Sequence, residues 1–301
     1  MPSATIAAVH HISYVQAIIL GLLQGASELF PVSSLGHSVI LPRLLGWDIH
    51  SGDDTFLSFL VATHLATALV LLGFFWTDWV RIVRALWRTV KRRRIDRDDA
   101  DERLAWLLVV GTIPAGLLGL VLEHKLRDVF GSPTAVSIFL ALNGVMLLGA
   151  ERLRRRAPVV ERTRSSAEAD SRLARRLSFR GATGIGFAQA LALLPGFSRS
   201  GAAMSGGLLS GLSNEDAARF AFLLATPIIG AAGLLKLPDL AGSQGDGVRG
   251  PALVGALCAA LSAYLAVRFL VRFFESGRLT PFGIYCLCAG LVATVIFVAG
   301  G

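Results

Sequence analysis

Apolar residues run through this chain in long blocks, and the polar residues between the blocks gather in short, mostly basic tracts. Six blocks are long enough to cross a bilayer, over residues 55–77, 104–122, 134–150, 215–235, 251–270 and 281–298. About 20 mostly apolar residues in a helix cover the roughly 30 Å of hydrocarbon in a membrane. Two further apolar regions, 12–46 and 181–211, are interrupted. The first breaks at Phe30-Pro31-Val32-Ser33-Ser34, the second at Pro195-Gly196-Phe197-Ser198-Arg199-Ser200-Gly201. Each arm is too short to span alone. Irregular backbone at membrane depth is tolerated where protein buries it or where it lines a wet cavity. The pattern predicts an all-α integral membrane protein: six transmembrane helices plus two re-entrant helical hairpins. A kinked single span is the alternative for either interrupted region.

Composition agrees with this reading. Of 301 residues, 53% are hydrophobic and 17% charged, where a soluble domain carries about a quarter charged residues. The net charge of +8 would point to nucleic acid in a soluble protein. Here the basic residues lie between apolar blocks, as loop charges do under the positive-inside rule. No nucleic-acid partner is expected. The three cysteines, Cys258, Cys286 and Cys288, all fall inside apolar segments. They form neither a disulfide framework nor a zinc spacing. No Lys or Arg precedes the first apolar run, so a signal peptide is not expected.

The basic tracts at 81–103, 152–180 and 268–278 fall on one side of a six-span arrangement. That side is expected to be cytoplasmic, with both termini outside. The stretch 154–176 is polar and mixed in charge and reads as a mobile loop. It splits one membrane domain, 1–301, into a first half at 1–151 and a second at 181–301, joined by a cytoplasmic loop at 152–180. The halves resemble each other. Gln24, Ser33 and Gly36 each recur 165 residues later as Gln189, Ser198 and Gly201, and Phe59-Leu-Val-Ala-Thr63 resembles Phe222-Leu-Leu-Ala-Thr226. Each half holds one hairpin and three crossings. Three is odd, so the second copy is expected to be inverted. Inverted repeats with broken helices place their site near the midplane, between the repeats.

The chemistry-bearing residues collect at the two breaks. Gln24 and Glu28 are spaced i, i+4 and share a helix face. A carboxylate at membrane depth costs roughly 2.5–3.5 kcal/mol on insertion scales, which makes it a functional candidate. Its bland reading is a Glu bonded to nearby backbone. Ser33 and Ser34 open a helix after Pro31, and the bland reading of each is N-capping. Ser34 and His37 are spaced i, i+3, which would set a base beside a hydroxyl. Arg199 lies in an otherwise apolar stretch, and its planar fork suits phosphate. Ser198, Ser200 and Gly201 add donors and close backbone approach. A helix start points N–H groups and positive dipole at an anion, and two such starts would face one another. The implied ligand is anionic.

The strings QGASELFPVSSLGH and PGFSRSGAAMSGG resemble the two signature regions of the undecaprenyl-diphosphate phosphatase family. That family carries a Glu or Gln four residues before a Glu, then P-V/I-S-S-x-G-H, then P-G-x-S-R-S-G. The resemblance extends over the whole chain in span count and loop placement, and in the segment FLVATHLATALVLL. It implies hydrolysis of a polyprenyl diphosphate lipid to the monophosphate at the outer face of the bacterial inner membrane. It also implies recycling of the lipid carrier for peptidoglycan and other wall polymers, and bacitracin resistance when the enzyme is abundant. By motif position the catalytic roles fall on Glu28, Ser34, His37 and Arg199, with Ser33, Ser198 and Ser200 on the phosphates. Gly201, Gln24 and His64 complete the expected lining. The family uses a divalent cation, Mg2+ or Ca2+, for which Glu28 is the expected ligand. The family's pattern departs at Gln24, where a second carboxylate is common, and at Ala202-Ala203, where one hydroxyl is missing.

Three nucleophiles stand open from sequence: Ser34 with His37 as base, His37 itself, or water. A flippase or transporter of the polyprenyl monophosphate is the alternative function, because inverted repeats with broken helices are transporter architecture. A homodimer is also compatible with the sequence.

Overall fold

The computed structural model describes residues 12–49, 53–96, 98–154, 165–242 and 248–300. The N-terminal residues 1–11 and the basic residues Arg97, Arg155, Arg156, Arg162 and Arg164 lie outside them. Among the described residues all regular structure is helical. Six helices among the described residues are long and apolar enough to cross a membrane, as in a multi-pass membrane protein. They are α3 (Asp54–Phe74), α5 (Ala100–Phe130, apolar through Leu122), α6 (Pro133–Arg154), α10 (Asn214–Ala241), α11 (Arg249–Phe273) and α12 (Thr280–Ala299). Each overlaps one of the six apolar blocks read from the sequence.

The interrupted regions each give two short helices. Helix α1 (Tyr14–Leu29) precedes α2 (Ser34–Leu44), and α8 (Phe179–Gln189) precedes α9 (Arg199–Leu209), with a 3-10 turn at Ala190–Leu193 between the latter two. Caps set their starts. Ser13 and Gln16 form a capping box at α1, and Ser178 accepts from the Gly181 N–H at α8.

Two helices were not legible from hydropathy. Helix α4 (Trp76–Arg92) occupies the basic tract after α3. Helix α7 (Ser166–Arg176) occupies part of the stretch expected to be a mobile loop. Its apolar contribution is small: Ala169, Leu173 and Ala174 are buried. Ion pairs hold it instead. Asp170 bonds Arg81 of α4 and Arg219 of α10, and Arg172 bonds Asp216 of α10. Arg103 of α5 donates to the Ala174 and Leu177 carbonyls. A polar segment with few apolar residues looks disordered when its partners are far away in sequence.

Small residues let the helices approach closely. Helix α1 lies against α11, and a Cβ on Gly21 would stand 2.3 Å from the Gly255 carbonyl oxygen. Helix α8 lies against α5, where a Cβ on Gly186 would stand 2.5 Å from the Gly111 carbonyl oxygen. Lipid tails are as apolar as leucine, so close packing of such surfaces, rather than hydrophobic exclusion, drives helices together in a membrane.

Candidate functional site

Helix α1 stops because Pro31 follows it, and α2 starts on Ser33. The Ser33 hydroxyl accepts from the Gly36 N–H at 3.1 Å. Ser33 is a non-glycine residue at φ 70°, a conformation an L residue holds only when its surroundings enforce it. In the second region Gly196 takes φ 112°, and α9 starts on Ser198, whose hydroxyl accepts from the Gly201 N–H at 3.1 Å.

The two breaks meet. A Cβ on Gly36 would stand 3.1 Å from Gly196 Cα, and one on Gly201 would stand 3.2 Å from Pro31 Cβ. The Ser200 hydroxyl donates to the Phe30 carbonyl at 3.2 Å and lies 3.0 Å from the Ser198 hydroxyl. Asn143 of α6, fully buried, ties both breaks together. Its Nδ2 donates to the Pro31 carbonyl at 3.1 Å, and its Oδ1 accepts from the Ser198 N–H at 3.0 Å. Nδ2 also reaches Cys286 Sγ at 3.4 Å.

Glu28 is the centre of what this contact creates. Its side chain is 7% exposed. Oε2 accepts from the Ser34 hydroxyl at 2.6 Å and from Gln24 Nε2 at 3.2 Å. His64 Nε2 of α3 stands 3.4 Å from the same oxygen, while its Nδ1 bonds the Leu60 carbonyl at 2.7 Å. Oε1 accepts from Arg199, at 3.1 Å from Nη2 and 3.4 Å from Nε. Two buried polar atoms beside this carboxylate have no partner among the described residues: Arg199 Nη1 and Gln24 Oε1. A buried unpaired donor or acceptor costs about 1–3 kcal/mol. Their persistence together marks a place shaped for something else to bind.

The expected pairing of Ser34 with His37 is absent. Ser34 bonds Glu28. His37 turns the other way: Nδ1 lies 2.6 Å from the Ser33 carbonyl and Nε2 lies 2.7 Å from the Tyr285 hydroxyl of α12. The two rings stack 5.7 Å apart with planes 8° from parallel. A carbonyl only accepts, so Nδ1 carries the proton, and in the neutral ring Nε2 accepts from Tyr285.

Of the residues singled out from sequence, Gln24, Glu28, Ser34, His64 and Arg199 form one cluster. Ser33, Ser198, Ser200 and Gly201 build the helix starts and the contact between breaks. His37 borders the cluster through Ser33. Asn143 and Tyr285 were missed. Asn143 had a signal, being a lone amide inside an otherwise apolar span. Tyr285 had none, because nothing local marks a tyrosine 248 residues from its partner.

A family profile described as bacitracin resistance protein BacA matches residues 17–292. The chain belongs to this family. It is 51% identical to an undecaprenyl-diphosphatase of Mycolicibacterium paratuberculosis, over 93% of this chain and 96% of that one. It is 46% identical to undecaprenyl-diphosphatase 2 of Frankia alni, over 96% of this chain and 99% of that one. An undecaprenyl-diphosphatase of Mycobacterium avium is 50% identical over 93% and 95%. These relatives are named for the activity that the two signature strings imply, and the span matched by the family profile holds Gln24, Glu28, Ser34, His64, Asn143 and Arg199.

Proposed function

We propose that this chain is a membrane phosphatase that hydrolyses undecaprenyl diphosphate to the monophosphate and inorganic phosphate. The observation that carries the reading is the Ser34 hydroxyl, 2.6 Å from Glu28, beside the unpartnered Nη1 of Arg199. Serine is a weak nucleophile until a neighbouring base takes its proton. Glu28, rather than His37, has the geometry for that role. Ser34 Oγ attacks the terminal phosphorus as Glu28 accepts the proton, and the polyprenyl monophosphate leaves. Water then cleaves the phosphoserine and releases phosphate. Arg199 Nη1 and the starts of α2 and α9 take the phosphate oxygens. His37, with Tyr285 on Nε2, is a poorer nucleophile in this arrangement than Ser34.

A divalent cation is compatible with this donor set in one form. Among the described residues no three His, Cys, Asp or Glu side chains converge as a metal cage. Gln24 Oε1, beside Glu28, has no partner among the described residues, and Mg2+ is commonly held by one or two protein oxygens plus substrate phosphates. Gln24 and Glu28 would hold it. When bound, such an ion neutralises the diphosphate and polarises its oxygens.

The decisive test is phosphate release from undecaprenyl diphosphate by purified protein in detergent. Release with no membrane to cross supports a phosphatase; none would leave the flippase reading. A quenched reaction should carry acid-stable phosphate on Ser34. Acid-labile phosphate on His37, with Ser34→Ala still active, would overturn the nucleophile.

The reading extends to topology. Each interrupted region is a re-entrant hairpin, and the halves are an inverted repeat in the bacterial cytoplasmic membrane, with the site open to the outer face. Helix contacts support the repeat. Helix α1 lies on α11 as α8 lies on α5, and α3–α10 and α6–α12 pair corresponding helices of the two halves. Gly21 and Gly186, 165 residues apart, make matching close approaches. External labelling of a cysteine placed in 165–180 in whole cells would refute this orientation.

A further inference from the structure

Helix α4 follows the span α3 with Phe75 alone between them, so it starts where a membrane crossing ends. One face is used internally. Ile82, Ala85 and Thr89 are buried, Thr89 accepts from Trp106 Nε1 of α5, and Arg88 pairs with Asp99 and Glu102. The opposite face is uncovered and apolar. Trp76, Val83, Trp87 and Val90 are exposed, Trp87 the most at 71%. Their spacing of seven, four and three residues keeps them on one stripe of a 3.6-residue helix. Arg84 and Lys91 beside the stripe, and Arg93 and Arg94 just past the helix end, are exposed, with no ion-pair partner among the described residues. Asp96 and Asp98 follow, also exposed, and leave the local balance positive.

We propose that α4 is an interfacial helix that binds anionic phospholipid headgroups. The stripe enters the boundary between headgroups and acyl chains, and the four cations lie on lipid phosphates. Three features select this occupant. The helix carries too many charges to be one of the apolar spans, yet chain connectivity holds it at the end of one. Its exposed face pairs tryptophans with Lys and Arg, the combination that favours the interface. The net exposed charge is positive and complements anionic lipid, to which juxtamembrane basic residues are drawn. A zwitterionic bilayer would satisfy the stripe and leave the cations unmatched.

The test uses the full chain in bilayers of phosphatidylcholine with phosphatidylglycerol. Spin-labelled analogues of each lipid report selectivity at the protein boundary. The comparison is wild type against the combined Arg84→Gln, Lys91→Gln, Arg93→Gln and Arg94→Gln variant, whose altered side chains are exposed and outside the site. Wild type should prefer phosphatidylglycerol several-fold, less at raised salt, and the variant should lose most of that preference. A variant with wild-type selectivity, or a wild type with none, overturns the proposal. Brominated acyl chains give a second reading through the fluorescence lost in Trp87→Phe. Bromine should quench that component. Quenching by aqueous iodide instead of bromine would put the stripe in water and overturn the membrane seat. Protection from both would mean that a protein partner covers the stripe, which overturns the membrane seat as well.

Discussion

Two of the buried-charge clusters among the described residues are built to different standards of completeness. In the first, Asp78, Arg81, Asp170 and Arg219 link α4, α7 and α10. Asp170 accepts from Arg219 Nε at 2.6 Å and from Arg81 Nη2 at 2.5 Å. Asp78 accepts from Arg81 at 2.8 Å and faces Arg219 at 3.0 Å. None of these four side chains has a buried atom without a partner. Burial works against the charge on Arg81, but the hydrogen bonds it donates to Asp78 and Asp170 outweigh this and raise its pKa above the usual value. The second cluster joins Glu28 and Arg199 at 3.1 Å and leaves Arg199 Nη1 and Gln24 Oε1 unspent. A closed network spends its capacity on stability. An open one gives up stability and keeps donors and acceptors for a ligand.

Asp170→Asn is the change expected to cost most. It leaves two guanidinium groups short of a carboxylate, and breaking a buried pair from one side costs about 3–5 kcal/mol. The loss should appear in thermal unfolding, with turnover per folded molecule intact. Lost turnover at unchanged stability would erase the contrast between the clusters.

Arg199→Lys should do the reverse. A point charge replaces a two-pronged donor, and losing one preorganised donor costs on the order of 2.7–4 kcal/mol, or 10²–10³ in rate. Melting should change little, because Ser34, Gln24 and His64 still face Glu28. Near wild-type turnover in this variant would remove Arg199 from the phosphate.

Asn143→Ala falls between the two, since it supports the open cluster without belonging to it. It strands the Ser198 N–H and leaves the Pro31 carbonyl only the weak Cys286 thiol donor at 3.8 Å, at about 1–3 kcal/mol, divided between stability and turnover. Asn143→Asp keeps the acceptor for Ser198 and loses the donor to Pro31, so it should be intermediate. If the alanine variant matches wild type in both, the helix starts hold their register without Asn143.

Much of this was readable from local pattern. Spans α3, α5, α6, α10, α11 and α12 follow from hydropathy, because a span must satisfy its backbone within itself and expose apolar side chains to lipid. The breaks follow from Pro31, Pro195 and Gly196. Glu28 and Arg199 stood out because charge in an apolar stretch has no local justification. The Ser34–His37 pairing did not hold. Spacing permits two side chains to meet, but each takes the best partner in reach, and for His37 those are the Ser33 carbonyl and Tyr285.

The sequence by itself determined which segments are helical and apolar, where two of those regions break, and which charged and hydroxyl-bearing residues lie at the breaks. Those properties depend on residues within a few turns of one another. Tertiary structure alone decided that Glu28 meets Arg199 across 171 residues, that Ser34 bonds Glu28 instead of His37, and that Asn143 ties Pro31 to Ser198. It also decided that the polar stretch 166–176 is a docked helix. The physical reason is common to all four. Hydrogen bonds and ion pairs are short-ranged and directional, so their partners are fixed by where packed helices cross, and helices cross where distant glycines and alanines let their backbones approach.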